Sequence, residues 1–230
     1  MARWLAPGCA VLALLCVLGP GAAWARQGEV IFSAGYLTHN INLSSASGYG
    51  DFLNRRFKVD ALVLTGRRIG VAYMASERAS VGVELDSLTG GFDYENLNGT
   101  DESATFTLNQ TIFTFRYLAT DNISLAAGLG VNSLERQMEG YKDESILTTN
   151  LSDNGGSAKD TSDGNLVLLE AAYGARGKRL GWQAGLRYTG SVHTISSSDD
   201  RPGLDELGRP VDMDFVLSGF GIHLTVNLYL

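Results

Sequence analysis

"GFGIHLTVNLYL", residues 219–230, closes the chain. Phe220, Ile222, Leu224, Val226, Leu228 and Leu230 are large and apolar, and Gly221, His223, Thr225, Asn227 and Tyr229 stand between them. Apolar residues at every second position mark a β-strand with one oily face and one small or polar face. Two questions follow from it: which face meets water, and what pairs with the edge of a strand on which the chain stops.

The same alternation recurs through residues 30–43, 57–75, 80–89, 104–118, 123–134, 166–175 and 182–193, and the terminal segment begins near Asp214. The connections alternate in length. Glu77-Arg78-Ala79, Thr120-Asp121-Asn122 and Gly177-Lys178-Arg179 make tight turns, whereas residues 44–56, 90–103, 139–165 and 194–213 form long polar joins. Eight antiparallel strands with short turns at one end and long loops at the other match the pattern of a bacterial outer-membrane barrel. Both termini then lie at the short-turn, periplasmic end.

A soluble β-sandwich or lipocalin would place the apolar face inward instead. Face chemistry separates the two. In the fifth strand Ile123, Leu125, Ala127, Leu129 and Val131 oppose Ser124, Ala126, Gly128, Gly130 and Asn132. In the seventh, Trp182, Ala184, Leu186, Tyr188 and Val192 oppose Gln183, Gly185, Arg187, Thr189, Ser191 and His193. A solvated outer face usually carries Lys and Glu, while small residues with a few charges suit the crowded lumen of a narrow barrel. Tyr73, Tyr117, Tyr173, Trp182 and Tyr188 also fall close to the short turns, where an aromatic girdle belongs. The fold expected is all-β: a closed, antiparallel, up-and-down transmembrane barrel of eight strands. Closure answers the edge question, because an open edge in lipid would leave backbone groups unpaired.

Over residues 26–230 this architecture resembles the small OmpA/OmpX-type outer-membrane barrels. The resemblance implies that Phe220, Ile222, Leu224, Val226, Leu228 and Leu230 form the signal read by the barrel-insertion machinery. That family usually ends in Phe; here Leu230 takes the place, with Tyr229 beside it. It also implies outer-membrane lipid and lipopolysaccharide as partners, and a structural or adhesin-like surface role with an extracellular ligand held by the loops.

Residues 1–25 open with Arg3, continue through an apolar run and close on Ala23-Trp24-Ala25, the pattern of a cleaved export signal. Both cysteines, Cys9 and Cys16, lie inside it, so the mature chain has no thiol for catalysis or metal binding. A net charge of −7 argues against nucleic acid as a partner. No motif calls for a cofactor.

With the polar faces inward, the lumen holds Arg68, Glu84, Asp86, Arg116, Glu170, Arg187, His193 and His223. An unmatched charge there is costly, so a ladder of interior ion pairs is expected. A sixth–seventh turn centred on Lys178-Arg179 sets Glu170 opposite Arg187. A second–third turn centred on Arg78 sets Asp86 opposite Gly70, one diagonal step from Arg68, with Glu84 and Asp86 in reach of Arg116. Eight strands enclose a lumen that side chains can fill, so a plug is favoured over a general pore.

Two other functions fit less of the sequence. One is a narrow channel for small apolar molecules. The other is a lipid A-modifying enzyme, for which Ser191 and His193 share a strand face; no third group orients the histidine, so no nucleophilic constellation is complete. The long joins are acidic, and divalent cation binding there has no loop motif behind it.

Overall fold

The computed structural model describes residues 27–42, 61–95, 101–139, 158–195 and 213–230. The expected export signal and most of the four long connections lie outside the described residues. Eight strands make up the fold: β1 (Val30–Asn42), β2 (Ala61–Met74), β3 (Ala79–Glu95), β4 (Asp101–Leu118), β5 (Ile123–Glu139), β6 (Ala158–Arg176), β7 (Leu180–Ile195) and β8 (Met213–Tyr229). Each pairs antiparallel with its neighbours in sequence, and β8 pairs with β1, closing the barrel. The terminal residue completes the seam: Val30 N donates to Leu230 O (3.0 Å) and Leu230 N to Val30 O (2.9 Å).

The registers fix the shape. One outward-facing rung runs Phe32, Val71, Val83, Phe113, Leu129, Val167, Gly190, Ser218, and returns to β1 at Asn42, ten residues beyond its start. That stagger obliges the strands to tilt, and a barrel of eight tilted strands has an interior only wide enough for side chains. Where strands crowd most, glycine is required: a Cβ on Gly66 would sit 1.9 Å from the Ser87 carbonyl oxygen.

Orientation follows the alternation. Ile222 and Leu129 are each 68% exposed on the outside, whereas Arg187 and His193 are wholly buried within. Among the described residues the outer surface between the ends carries Phe32, Ile69, Val81, Leu85, Phe115, Leu125, Leu169, Leu186 and Phe220.

Two expectations are corrected. Several strands run further toward the long-loop end than the apolar alternation does: β3 continues through Gly90-Gly91 to Glu95, and β6 begins at Ala158 rather than at Leu166. Backbone pairing persists there after the outward residues turn polar. The β2–β3 register is also two residues away from the expected one, since Asp86 faces Arg68 and Glu84 faces Gly70. The cause is the turn. Ser76 Oγ accepts from the amides of Arg78 (3.3 Å) and Ala79 (3.0 Å), and Ser76 N donates to Ala79 O (3.1 Å). This hydroxyl-capped turn centres the hairpin on Glu77 instead of Arg78.

Candidate functional site

The lumen contains three zones stacked along the axis. Nearest the middle is an ionic cluster made of Arg68 (β2), Glu84 and Asp86 (β3), Arg116 (β4), Glu170 (β6) and Arg187 (β7). Each sits at an inward position of its strand. Arg68 binds Glu84 (2.5 Å) and reaches across to Glu170 (2.9 Å). Arg116 likewise bridges Glu84 (3.2 Å) and Glu170 (2.8 Å), and its Nη1 donates to Ser124 Oγ (3.2 Å). Arg187 binds Asp86 across the barrel at 2.7 Å and lies 3.8 Å from Glu84. Three guanidinium groups therefore face three carboxylates.

The pairing is a ladder between adjacent strands only in part: Arg68–Glu84 and the expected Arg116–Glu84 join neighbours, and the other pairs do not. Glu170 and Arg187 are register partners, yet each forms its described ion pairs elsewhere. Asp86 pairs with Arg187 rather than with Arg116 or Arg68. In a barrel of eight, β2 and β6 stand on opposite sides, as do β3 and β7, so the longest side chains meet over the centre. Such multiply bonded, charge-balanced groups offset their loss of water.

Toward the long-loop end lies an apolar layer: Leu37, Leu64, Leu88, Leu108, Ile112 and Leu168 are all 0–2% exposed, with Phe106 among them. Polar side chains are threaded through it in bonded groups. Thr189 and His39 share a hydrogen bond (3.0 Å). Ser191 lies 3.1 Å from His193 Nε2, Ser162 lies 3.2 Å from His193 Nδ1, and Asn132 Nδ2 donates to Ser191 (3.0 Å).

Toward the short-turn end the lumen opens into a cavity of about 210 Å³ bordered by Ser33, Arg116, Ser124, Gln183, Asn227 and Tyr229. Its inner end stops on Glu84 and Arg116. At its mouth the Arg176 guanidinium binds Glu29 (2.5 Å) and lies 3.9 Å over the Tyr229 ring.

No protein-family model matches the chain, and no curated protein matches it in sequence. Solved structures do match. Ail, the attachment invasion locus protein of Yersinia pestis, superposes with a TM-score of 0.52 at 14% identity, over 89% of this chain and 99% of that one. The fold is that of a small outer-membrane β-barrel. The outer membrane protein OprG of Pseudomonas aeruginosa is similar over 90% of this chain and 98% of its own, at 12% identity and a TM-score of 0.46. In an outer-membrane barrel the short turns are periplasmic, the long connections extracellular, and the outer surface meets lipid. Tyr73, Tyr117, Tyr173 and Trp182 then form the girdle at the short-turn end, with Tyr173 and Trp182 in ring contact at 5.9 Å, whereas Tyr188, expected among them, sits midway along β7 against Phe220.

The alternate residues of the final strand expected to form the insertion signal point outward: Phe220, Ile222, Val226, Leu228 and Leu230 are exposed and Leu224 is half-buried among them. The pair Ser191 and His193 lies in the lumen, fully enclosed, and touches no lipid face. The apolar layer had no counterpart in the sequence reading. Its signal was available only as the loss of alternation in runs such as residues 166–169, where both faces are apolar.

Proposed function

We propose that this chain is an integral outer-membrane protein with a closed lumen, and that its role is structural or surface-interactive, exercised from the extracellular side. The observation that carries this reading is the cross-lumen set Arg68–Glu170 and Asp86–Arg187. Each tie joins strands from opposite sides of the barrel, so the cluster occupies the cross-section that an ion or solute would need. The apolar layer above adds a second obstruction. Export with removal of residues 1–25, and recognition of the terminal strand by the insertion machinery, belong to the same reading.

Conductance across planar bilayers tests it. Refolded full-length barrel is expected to show no sustained openings of porin size; reproducible openings of that size would refute closure.

The surface role has an expected ligand chemistry. The Ail structure is a complex with the heparin analogue sucrose octasulfate, a polyanion. In this chain residues 139–165 hold Glu139, Asp143, Glu144, Asp153, Asp160 and Asp163 against Lys142 and Lys159. Residues 194–213 hold Asp199, Asp200, Asp205, Glu206 and Asp212 against Arg201 and Arg209. Like charges repel sulfate groups, so a cationic ligand fits these connections better than a sulfated one.

A further inference from the structure

The two ends of the lumen are filled unequally. At the long-loop end the inward positions carry Leu64, Leu88, Leu108 and Leu168, all buried. At the short-turn end the inward positions carry Ser33, Ala72, Ser80, Ser124 and Gly174, and all five border the cavity of about 210 Å³. A barrel of eight strands can be packed shut by its side chains or can hold one small ligand. This barrel does the first at one end and leaves room for the second at the other.

The chemistry of the walls narrows the ligand. Charge is already matched: Arg116 is tied to Glu84 and Glu170 at the floor, and Arg176 to Glu29 at the mouth. The remaining charged groups, Glu77, Arg78 and Asp121, stand exposed on the turns at the rim. An ionic ligand would therefore have to displace a buried partner, which is costly. The hydroxyls are not matched. Among the described residues, Ser33, Ser80 and Thr114 border the cavity without a side-chain hydrogen bond, although Ser80 and Thr114 are buried. Ser124 Oγ accepts from Arg116 and from Gln183 Nε2 (2.6 Å), which leaves its own O–H to donate.

Apolar side chains stand beside these hydroxyls. Met74 is the register partner of Ser80, and Leu118 of Ser124, and all four border the cavity. Hydroxyl and hydrocarbon side by side match a sugar ring, whose edge is hydroxyl and whose faces are C–H. The volume is below the ~300–1,000 Å³ of pockets for drug-sized ligands, so one ring fits and a chain does not.

We propose that this cavity is a binding site for one uncharged sugar ring, either a free monosaccharide or the terminal residue of a saccharide chain. Ser33, Ser80, Thr114 and Ser124 meet the ring hydroxyls, Met74 and Leu118 meet its C–H face, and the Glu84–Arg116 pair closes the floor. The inference uses the closed floor of the lumen and is independent of any extracellular surface role.

The test titrates the full chain in phosphatidylcholine nanodiscs with glucose, N-acetylglucosamine, cellobiose, glucuronate, glucosamine and cyclohexanol, following backbone amide resonances. The neutral sugars are expected to shift Ser33, Ser80, Thr114 and Ser124 saturably, with glucuronate and glucosamine at least tenfold weaker and cyclohexanol weaker still. Cellobiose binding as well as glucose marks a chain end as the ligand; binding only of the free rings marks a monosaccharide. Thr114→Val keeps the side-chain volume and removes one hydroxyl, and should weaken binding about fivefold, the worth of one neutral hydrogen bond. Ala72→Leu fills the cavity and should abolish binding, while Ser87→Ala on the outer face should leave it unchanged. Should Ala72→Leu fail to fold, Thr114→Val decides alone. Shifts that never saturate, a charged sugar or cyclohexanol binding as tightly as glucose, or full affinity in Thr114→Val would each overturn the site. A flat titration in a barrel that stays silent in planar bilayers defeats the sugar site alone; sustained openings there defeat the closed floor, and the site with it.

Discussion

The two halves of the lumen exclude water by opposite chemistry. The mid-to-periplasmic half uses six charged side chains, two of whose ties cross the barrel, and the extracellular half uses buried leucines with Ile112 and Phe106. An ion pair is directional and needs every partner present; an apolar layer is additive and needs only volume. The first half is therefore brittle to loss of one group, and the second responds in proportion to what is removed. Position adds a reason for the division. The ionic half borders the periplasmic cavity, where Arg116 keeps some contact with solvent (17% exposed), so the cluster is partly hydrated from one side. The leucine layer has polar company in bonded groups such as Ser191, His193 and Asn132, and in the buried Gln110 between Leu108 and Ile112.

The sharpest way to break the comparison is to remove one ionic partner. Glu170→Gln strips a carboxylate that both Arg68 and Arg116 contact. Leaving two buried guanidinium groups short of charge is expected to cost ~3–5 kcal/mol, read as urea unfolding of the barrel in lipid vesicles. Replacing a whole tie, Asp86→Leu with Arg187→Met, should cost far less than either change alone, because a buried pair exchanged for apolar groups of similar volume is often close to neutral. A double variant as unstable as the sum of its singles would show that these charges do not act as a unit.

The apolar half should respond more gently. Leu64→Ala removes a side chain with no exposure and is expected to cost ~2–4 kcal/mol through lost transfer energy and the cavity left behind. Closure should survive, since the ionic half remains intact. Sustained conductance appearing in Leu64→Ala but not in Glu170→Gln would reverse the roles assigned to the two halves.

What the sequence disclosed divides along the same line. Charged residues are conspicuous against small neighbours, and parity alone sends Arg68, Glu84, Asp86, Arg116, Glu170 and Arg187 to one side of their strands. Strand number and the three tight turns were legible for a similar reason: each is a local pattern; the long join expected over 90–103 was not, since only residues 96–100 separate β3 from β4. The leucine layer was hidden because Leu168 stands between Val167 and Leu169, where both faces are oily and alternation disappears, while Leu108 stands between Thr107 and Asn109, where the apolar residue faces inward and the parity is reversed. The upper parts of β2–β4 were hidden the other way, since Thr65, Thr89, Thr107 and Asn109 facing outward look like the start of a loop. Pairing was the least legible. Which arginine reaches which acid depends on barrel curvature and on the capped turn at Ser76, and neither is a property of one strand.

The smallest effect separates the inside of the barrel from its outside. Leu64 and Leu129 are the same residue type on opposite faces, the first fully buried in the lumen and the second 68% exposed toward lipid. Truncating Leu129 to Ala forfeits the transfer of its methyl groups out of water, about 1–2 kcal/mol, but acyl chains flow into the vacated space and no cavity forms. Leu64→Ala bears both terms. In bilayers the difference between the two variants thus measures the cavity term alone. Were the sheet turned with its apolar face inward, as in a soluble sandwich, Leu129 would be the packed residue and its truncation the more damaging of the two. Equilibrium unfolding of both variants in the same vesicles decides the sign.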